Sequence, residues 1–169
     1  MILYRASSSE FAGRDNAFTP DLEVAVAYVN NKGFGGPRIY AYRVGGDRET
    51  VLDLYAHDHR KERVALAREI RPREDPYAEG SVYDRWQEQG YVYMHDLLLD
   101  AGVADELRAL GFLWVTFTDD YPEDAETWWY LGDELLEGVK IPKSQWPDVP
   151  WARFRVPAAA HRRWRSRAR

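Results

Sequence analysis

ILYRASSSEFAGRDNAFTPDLEVAVAYV, from Ile2 to Val29, is the stretch on which the reading of the fold turns. Ile2, Leu3 and Tyr4 give a short apolar strand signal that ends at Arg5. A polar loop follows, with Ser7-Ser8-Ser9-Glu10 and then Gly13-Arg14-Asp15-Asn16. Beyond it, Thr19 can cap a helix, Pro20 suits its first position, and Asp21 and Glu23 favour its positive end. Leu22, Ala25, Val26 and Val29 recur at helical spacing, so one face of that helix is expected to be buried. The stretch thus predicts a strand tip bearing Arg5 near a helix start bearing Phe18 and Thr19. A guanidinium beside a hydroxyl and free backbone N–H groups suits a phosphate or a ribose. The plainer alternative is a surface arginine and an ordinary helix cap, and the spacing alone leaves both open.

A chain of 169 residues can bury a real core as one domain. Hydrophobic content of 45%, with 14% aromatic, excludes general disorder. The formal net charge of −5 argues against a generic nucleic-acid binder. Charge is uneven, however: Arg162, Arg163, Arg165, Arg167 and Arg169 fall after Ala158 with no acid among them, and removing those five positive charges from −5 leaves −10 for the rest. Cysteine is absent, which excludes disulfides, thiol catalysis and cysteine zinc sites and fits a cytoplasmic setting. No apolar run approaches membrane-spanning length, and the first residues do not read as a signal peptide.

After the first helix, residues 30–37 are rich in turn formers. Ile39 to Val44 alternates as a strand, Gly45-Gly46-Asp47 reads as a turn, and Thr50 to Leu54 as a second strand, which together predict a hairpin. Val64, Ala65, Leu66, Ala67 and Ile70 lie in a charged frame that predicts an amphipathic helix ending before Pro72. Val82, Tyr83 and Trp86 mark a short helix stopped near Gly90. Leu97 to Leu99, then Val103, Leu107 and Leu110, mark further helical turns interrupted at Gly102 and capped at Gly111. Phe112 to Thr118 is the strongest strand signal, and Thr127 to Leu131, Val139 to Ile141 and Ala152 to Val156 follow as strands. Strands at both ends with helices between them predict an α+β domain over residues 1–157, its sheet mostly antiparallel, followed by a basic tail over 158–169.

The candidate chemistry centres on the acidic loop Asp119, Asp120, Glu123, Asp124 and Glu126. Glu126 stands at the mouth of a strand, which would hold its carboxylate rigidly, and Asp124 precedes it by two positions. Two carboxylates so placed can divide labour, one stabilising positive charge on a sugar carbon and the other handling a nucleophile. A merely solvated acidic loop is the alternative. His57 and His59 form a His-x-His pair with no third histidine nearby, and read better as polar residues at a helix start than as metal ligands; Met94-His95-Asp96 is equally weak. Walker, dinucleotide-fold and nucleophile-elbow motifs are absent. The tail around Trp164 could contact nucleic acid, pair with the acidic body, or simply be solvated.

Three of these stretches together resemble the ADP-ribosyltransferase superfamily. Leu3-Tyr4-Arg5-Ala6-Ser7 resembles its first motif, a strand ending in an aromatic followed by Arg or His. Phe18-Thr19 leading into Pro20 to Tyr28 resembles its second, and Asp124-Ala125-Glu126 opening Thr127 to Tyr130 its third. Order and length suit small toxin-like or phage-encoded members with helices between the second and third motifs. The resemblance departs at Ala6, where glycine is common, and at Thr19-Pro20, which replaces a run of hydroxyls. It implies a split two-sheet core and NAD as a substrate, with no metal. Tyr4, Arg5, Phe18, Thr19 and Tyr28 would bind NAD: Arg5 at its ribose or phosphates, Thr19 supporting the carboxylate, Phe18 or Tyr28 against the nicotinamide. Glu126 would stabilise an oxocarbenium-like transition state and Asp124 would direct the acceptor, with Asp119 or Asp120 as alternative working carboxylates.

The expected activity is therefore mono-ADP-ribosylation of a macromolecule, a protein rather than a nucleic acid, with NAD hydrolysis as a side reaction. The reading from a different class is a non-catalytic acidic protein that binds a basic partner, with Trp128, Trp129, Trp146 and Trp151 as interface anchors.

Overall fold

In the computed structural model, which describes residues 1–30, 36–45, 48–119 and 125–148, the chain begins with β1 (Ile2–Ser7), β2 (Phe11–Ala12), β3 (Asn16–Phe18), α1 (Leu22–Asn30), β4 (Arg38–Arg43) and β5 (Val51–Asp53). Four helices follow, α2 (His59–Ile70), α3 (Val82–Glu88), α4 (Met94–Asp100) and α5 (Val103–Ala109). The described part then ends with β6 (Trp114–Asp119), β7 (Ala125–Tyr130), β8 (Leu136–Glu137) and β9 (Val139–Ile141). The α+β class read from the sequence holds. Asp120, Glu123 and Asp124, the strand expected over 152–156 and the basic tail lie outside the described residues.

Two sheets carry the fold. One has strand order β1-β4-β9 and is antiparallel; the other has order β3-β7-β6-β5 and is antiparallel except where β5 runs parallel to β6. A short ribbon pairs β2 with β8. Alternation along each strand sorts side chains into layers. On β1, Tyr4 faces α1 with Ala25, Val26 and Ile39, whereas Leu3 faces the space between the sheets with Phe18, Tyr40, Tyr42, Trp114 and Tyr130. The other side of the second sheet gives Val115, Phe117 and Trp129 to a larger core with Leu66, Trp86, Leu97, Leu98 and Leu107 from α2 to α5. Each such buried side chain contributes about 1.5–3 kcal/mol relative to an exposed one.

The stop signals of the helical middle act as read. After α3 the Tyr91 N–H bonds to Trp86 O and that of Gly90 to Gln87 O; after α5 the Phe112 N–H bonds to Leu107 O and that of Gly111 to Arg108 O. Both closures need a left-handed residue, and Gly90 (φ 77°) and Gly111 (φ 94°) supply it.

Two expectations are corrected. The predicted hairpin of residues 39–54 does not form: β4 pairs with β1 and β9, while β5 crosses to the second sheet and lies parallel to β6. Leu52 and Leu54 explain the crossing, since both are buried in the core formed with the helices, away from β4. The first helix begins at Leu22, later than a cap at Thr19 would place it. Asp21 Oδ1 accepts from Glu23 N at 2.8 Å, so Asp21 caps the helix. Thr19 is held before it in a bridge to Tyr4, which keeps its backbone extended.

Candidate functional site

The site is built where β1, β3 and β7 meet. Tyr4 N–H donates to Thr19 O at 2.7 Å and Thr19 N–H to Tyr4 O at 2.9 Å, so the first two sequence motifs are stitched together through the backbone. Thr19 itself is buried, and its hydroxyl accepts from Asp21 N at 3.2 Å. The Tyr4 ring lies on the α1 side of β1. Arg5 leaves the strand on the opposite side, in step with Leu3 and across from Tyr40, and so faces the space between the sheets. Its guanidinium donates from Nη1 to Ser7 Oγ at 2.8 Å.

Tyr42 stands beside Arg5 with its ring buried and its hydroxyl without a hydrogen-bond partner among the described residues. Burial pushes that hydroxyl's pKa up; the adjacent Arg5 charge opposes the shift without closing a well-formed hydrogen bond. Phe18 packs edge-on against Tyr42 at 5.0 Å and against Trp114 at 5.5 Å. Phe18 is the cross-strand partner of Trp128, whose indole N–H donates to Glu126 Oε1 at 2.6 Å. Glu126, Trp128 and Tyr130 alternate onto the inter-sheet side of β7. Arg5 and Glu126, 121 positions apart in the chain, therefore leave β1 and β7 on the sides turned to the same inter-sheet layer, in which Tyr42, Phe18 and Trp128 pack.

Tyr28 is placed elsewhere. Its hydroxyl donates to Asp119 Oδ2 at 2.7 Å, and Thr127 Oγ1 donates to the same oxygen at 3.2 Å. Asp119 leaves β6 on the side opposite Thr118, and Thr118 is the cross-strand partner of Glu126. The two carboxylates thus stand on alternate sides of the sheet. Thr118 is committed to the scaffold: its Oγ1 accepts from His57 N at 3.0 Å and donates to Glu62 Oε1. His57 holds a left-handed backbone (φ 54°), and His59 is the first residue of α2 behind the cap Asp58, as expected of polar residues at a helix start. No group of three or more His, Asp or Glu side chains among the described residues could hold a metal ion. No helix among them is long and apolar enough to cross a membrane.

Sequence reasoning did not single out Tyr42, Trp114 or Trp128 as site residues. A signal for Trp128 exists: residues two apart on a strand share a face, so Glu126 and Trp128 had to be neighbours. Tyr42 was legible only as one of the alternating residues of a strand. No protein-family model, no curated protein and no solved structure matches the chain.

Proposed function

We propose that this chain is an NAD-dependent mono-ADP-ribosyltransferase with a split two-sheet core of that superfamily's type, modifying a macromolecular target and releasing nicotinamide. The observation that supports the reading is that Arg5 on β1 and Glu126 on β7 both leave their strands on the side turned to the inter-sheet layer, where Tyr42, Phe18 and Trp128 form an aromatic wall. A cation for a diphosphate or ribose and a carboxylate for a developing sugar cation are what the reaction asks for.

In the reaction, the bond from the ribose C1″ to the nicotinamide nitrogen breaks with its electron pair going to nitrogen, so neutral nicotinamide leaves. Glu126 accepts a hydrogen bond from the ribose hydroxyl and stabilises the oxocarbenium character at C1″. A lone pair of the acceptor then bonds to C1″, and the acceptor's proton passes to a carboxylate, the role we give Asp124. When water takes the acceptor's place the outcome is NAD hydrolysis. Arg5 orients the substrate, which makes the step effectively intramolecular. A net charge of −5 favours a protein over a nucleic acid as acceptor, and the absence of cysteine fits action in a cytoplasm, as a toxin-like or phage-encoded effector would act.

Against the rival interaction-protein reading stand the tryptophans it would use as anchors. Trp129 is buried in the helical core, and Trp128 and Trp146 are packed against core clusters, while Trp151 lies outside the described residues. The deciding experiment is nicotinamide release from NAD by the purified full chain, with and without cell lysate. Turnover in either supports the transferase; no turnover in both rejects it.

A further inference from the structure

We propose that Trp128 is a positioning residue for Glu126, an inference that rests on the transferase reading and deepens it. The indole N–H donates to Glu126 Oε1 at 2.6 Å, between residues that leave β7 on the same side. The indole is itself held. It meets Trp114 edge-on at 6.1 Å, and Trp114 in turn packs against Phe18 at 5.5 Å and Tyr130 at 4.6 Å. Phe18 closes the circle as the cross-strand partner of Trp128. A ring braced in this way points its N–H in a fixed direction.

A glutamate side chain carries several rotatable bonds, and ordering it costs rotamer entropy. A bond to a fixed donor removes most of that freedom before substrate arrives, which is what a preorganised site requires. With Oε1 taken by the indole, Oε2 is the oxygen left to meet the ribose hydroxyl. Trp128 touches no reacting atom in this arrangement; it acts through the carboxylate it holds.

The test compares wild type, Trp128→Phe, Glu126→Gln and the double variant in steady-state nicotinamide release. Trp128→Phe keeps a ring in the wall and removes the donor. Its kcat should fall about 10-fold while KM for NAD stays within about 2-fold, the pattern of a lost transition-state interaction. On the Glu126→Gln background the same change should cost little more, because the charge that the indole positions is already gone. The indole N–H resonance of Trp128 should move upfield in Glu126→Gln as its charged acceptor is lost, a readout that needs no Trp128 variant. A wild-type chain that turns over while Trp128→Phe matches it in kcat overturns the positioning role alone. An indole resonance unmoved in Glu126→Gln also overturns it. A wild-type chain that releases no nicotinamide overturns the transferase reading, and this role with it.

Discussion

Glu62 accepts a hydrogen bond from the backbone N–H of Thr118 at 2.9 Å, joining α2 to the edge of β6 across 56 positions of sequence. The same oxygen accepts from Ala56 N at 3.0 Å and from the Thr118 hydroxyl. Strand β5 stops at Asp53, so β6 runs on past its neighbour, and Glu62 supplies the acceptor that a longer strand would have given. The side chain is 1% exposed. Replacing it by alanine leaves two backbone N–H groups and a hydroxyl without their acceptor, a loss of about 3 kcal/mol or more. Glu62→Gln keeps an acceptor oxygen and should cost less. Urea unfolding of both variants checks this; equal losses would show that the acceptor geometry is not what matters.

Gly138 fixes how β9 approaches β4. A Cβ placed there would lie 2.6 Å from Tyr42 Cζ and 2.9 Å from Tyr40 Cβ. Neither tyrosine can yield easily, since both are buried between the sheets. Gly138→Ala should therefore destabilise the chain by about 1–3 kcal/mol. Because Tyr42 neighbours Arg5, NAD binding should weaken as well, which calorimetry with NAD would read alongside the melting temperature.

Tyr42 also sets an alkaline limit. Burial raises its pKa in the folded chain despite Arg5, and burial with Glu134 and Asp133 raises that of Tyr130. A raised folded pKa favours the neutral form in the native state. The associated stability is complete below the unfolded tyrosine value, about 10, and is lost as pH rises through the folded values. Unfolding free energy should therefore fall above about pH 10. Tyr42→Phe should lessen that fall without abolishing it, since Tyr130 remains. At neutral pH the same variant removes a buried hydroxyl that has no hydrogen-bond partner among the described residues, and should be neutral or stabilising by up to about 1 kcal/mol. Urea titrations from pH 7 to 11 would decide; a variant that tracks wild type throughout would remove Tyr42 from the account.

The sequence made some of this legible and hid the rest for physical reasons. Gly90 and Gly111 could be placed because a helix end needs a left-handed residue at a fixed offset, a local rule. The strand Thr50 to Leu54 could be recognised but not its partner: alternation tells which face is buried, not which strand lies alongside. Glu62 was invisible because a glutamate among Arg60, Lys61 and Arg63 reads as solvated, and only the bare edge of β6 explains its burial. Arg63 repeats the lesson, being buried with its guanidinium donating to Val92 O. At the site, the strand of Arg5 and the strand of Glu126 were both readable. That they face the same space depends on two sheets packing through Phe18 and Tyr42, which no local pattern encodes.

The sharpest separation lies between the two carboxylates of the third motif. Glu126→Gln keeps size and most hydrogen bonding, including an acceptor for the Trp128 indole, but removes the charge that should stabilise the oxocarbenium. Losing a term of that kind costs about 10²–10³ in rate. Transfer and hydrolysis should fall together, with folding preserved because Glu126 is only partly buried. Asp124→Asn should act differently, depressing transfer to the acceptor more than hydrolysis, because its proposed task concerns the incoming nucleophile. Both variants would be assayed for nicotinamide release and for labelling of an acceptor from lysate, with NAD binding and thermal unfolding as controls. Full activity in Glu126→Gln would remove it as the working carboxylate. Asp119 is a poor replacement, since it leaves the alternate side of the sheet and is engaged by Tyr28 and Thr127; Asp120 would be the next residue to change. Equal loss of both activities in Asp124→Asn would leave Glu126 in its role and end the division of labour.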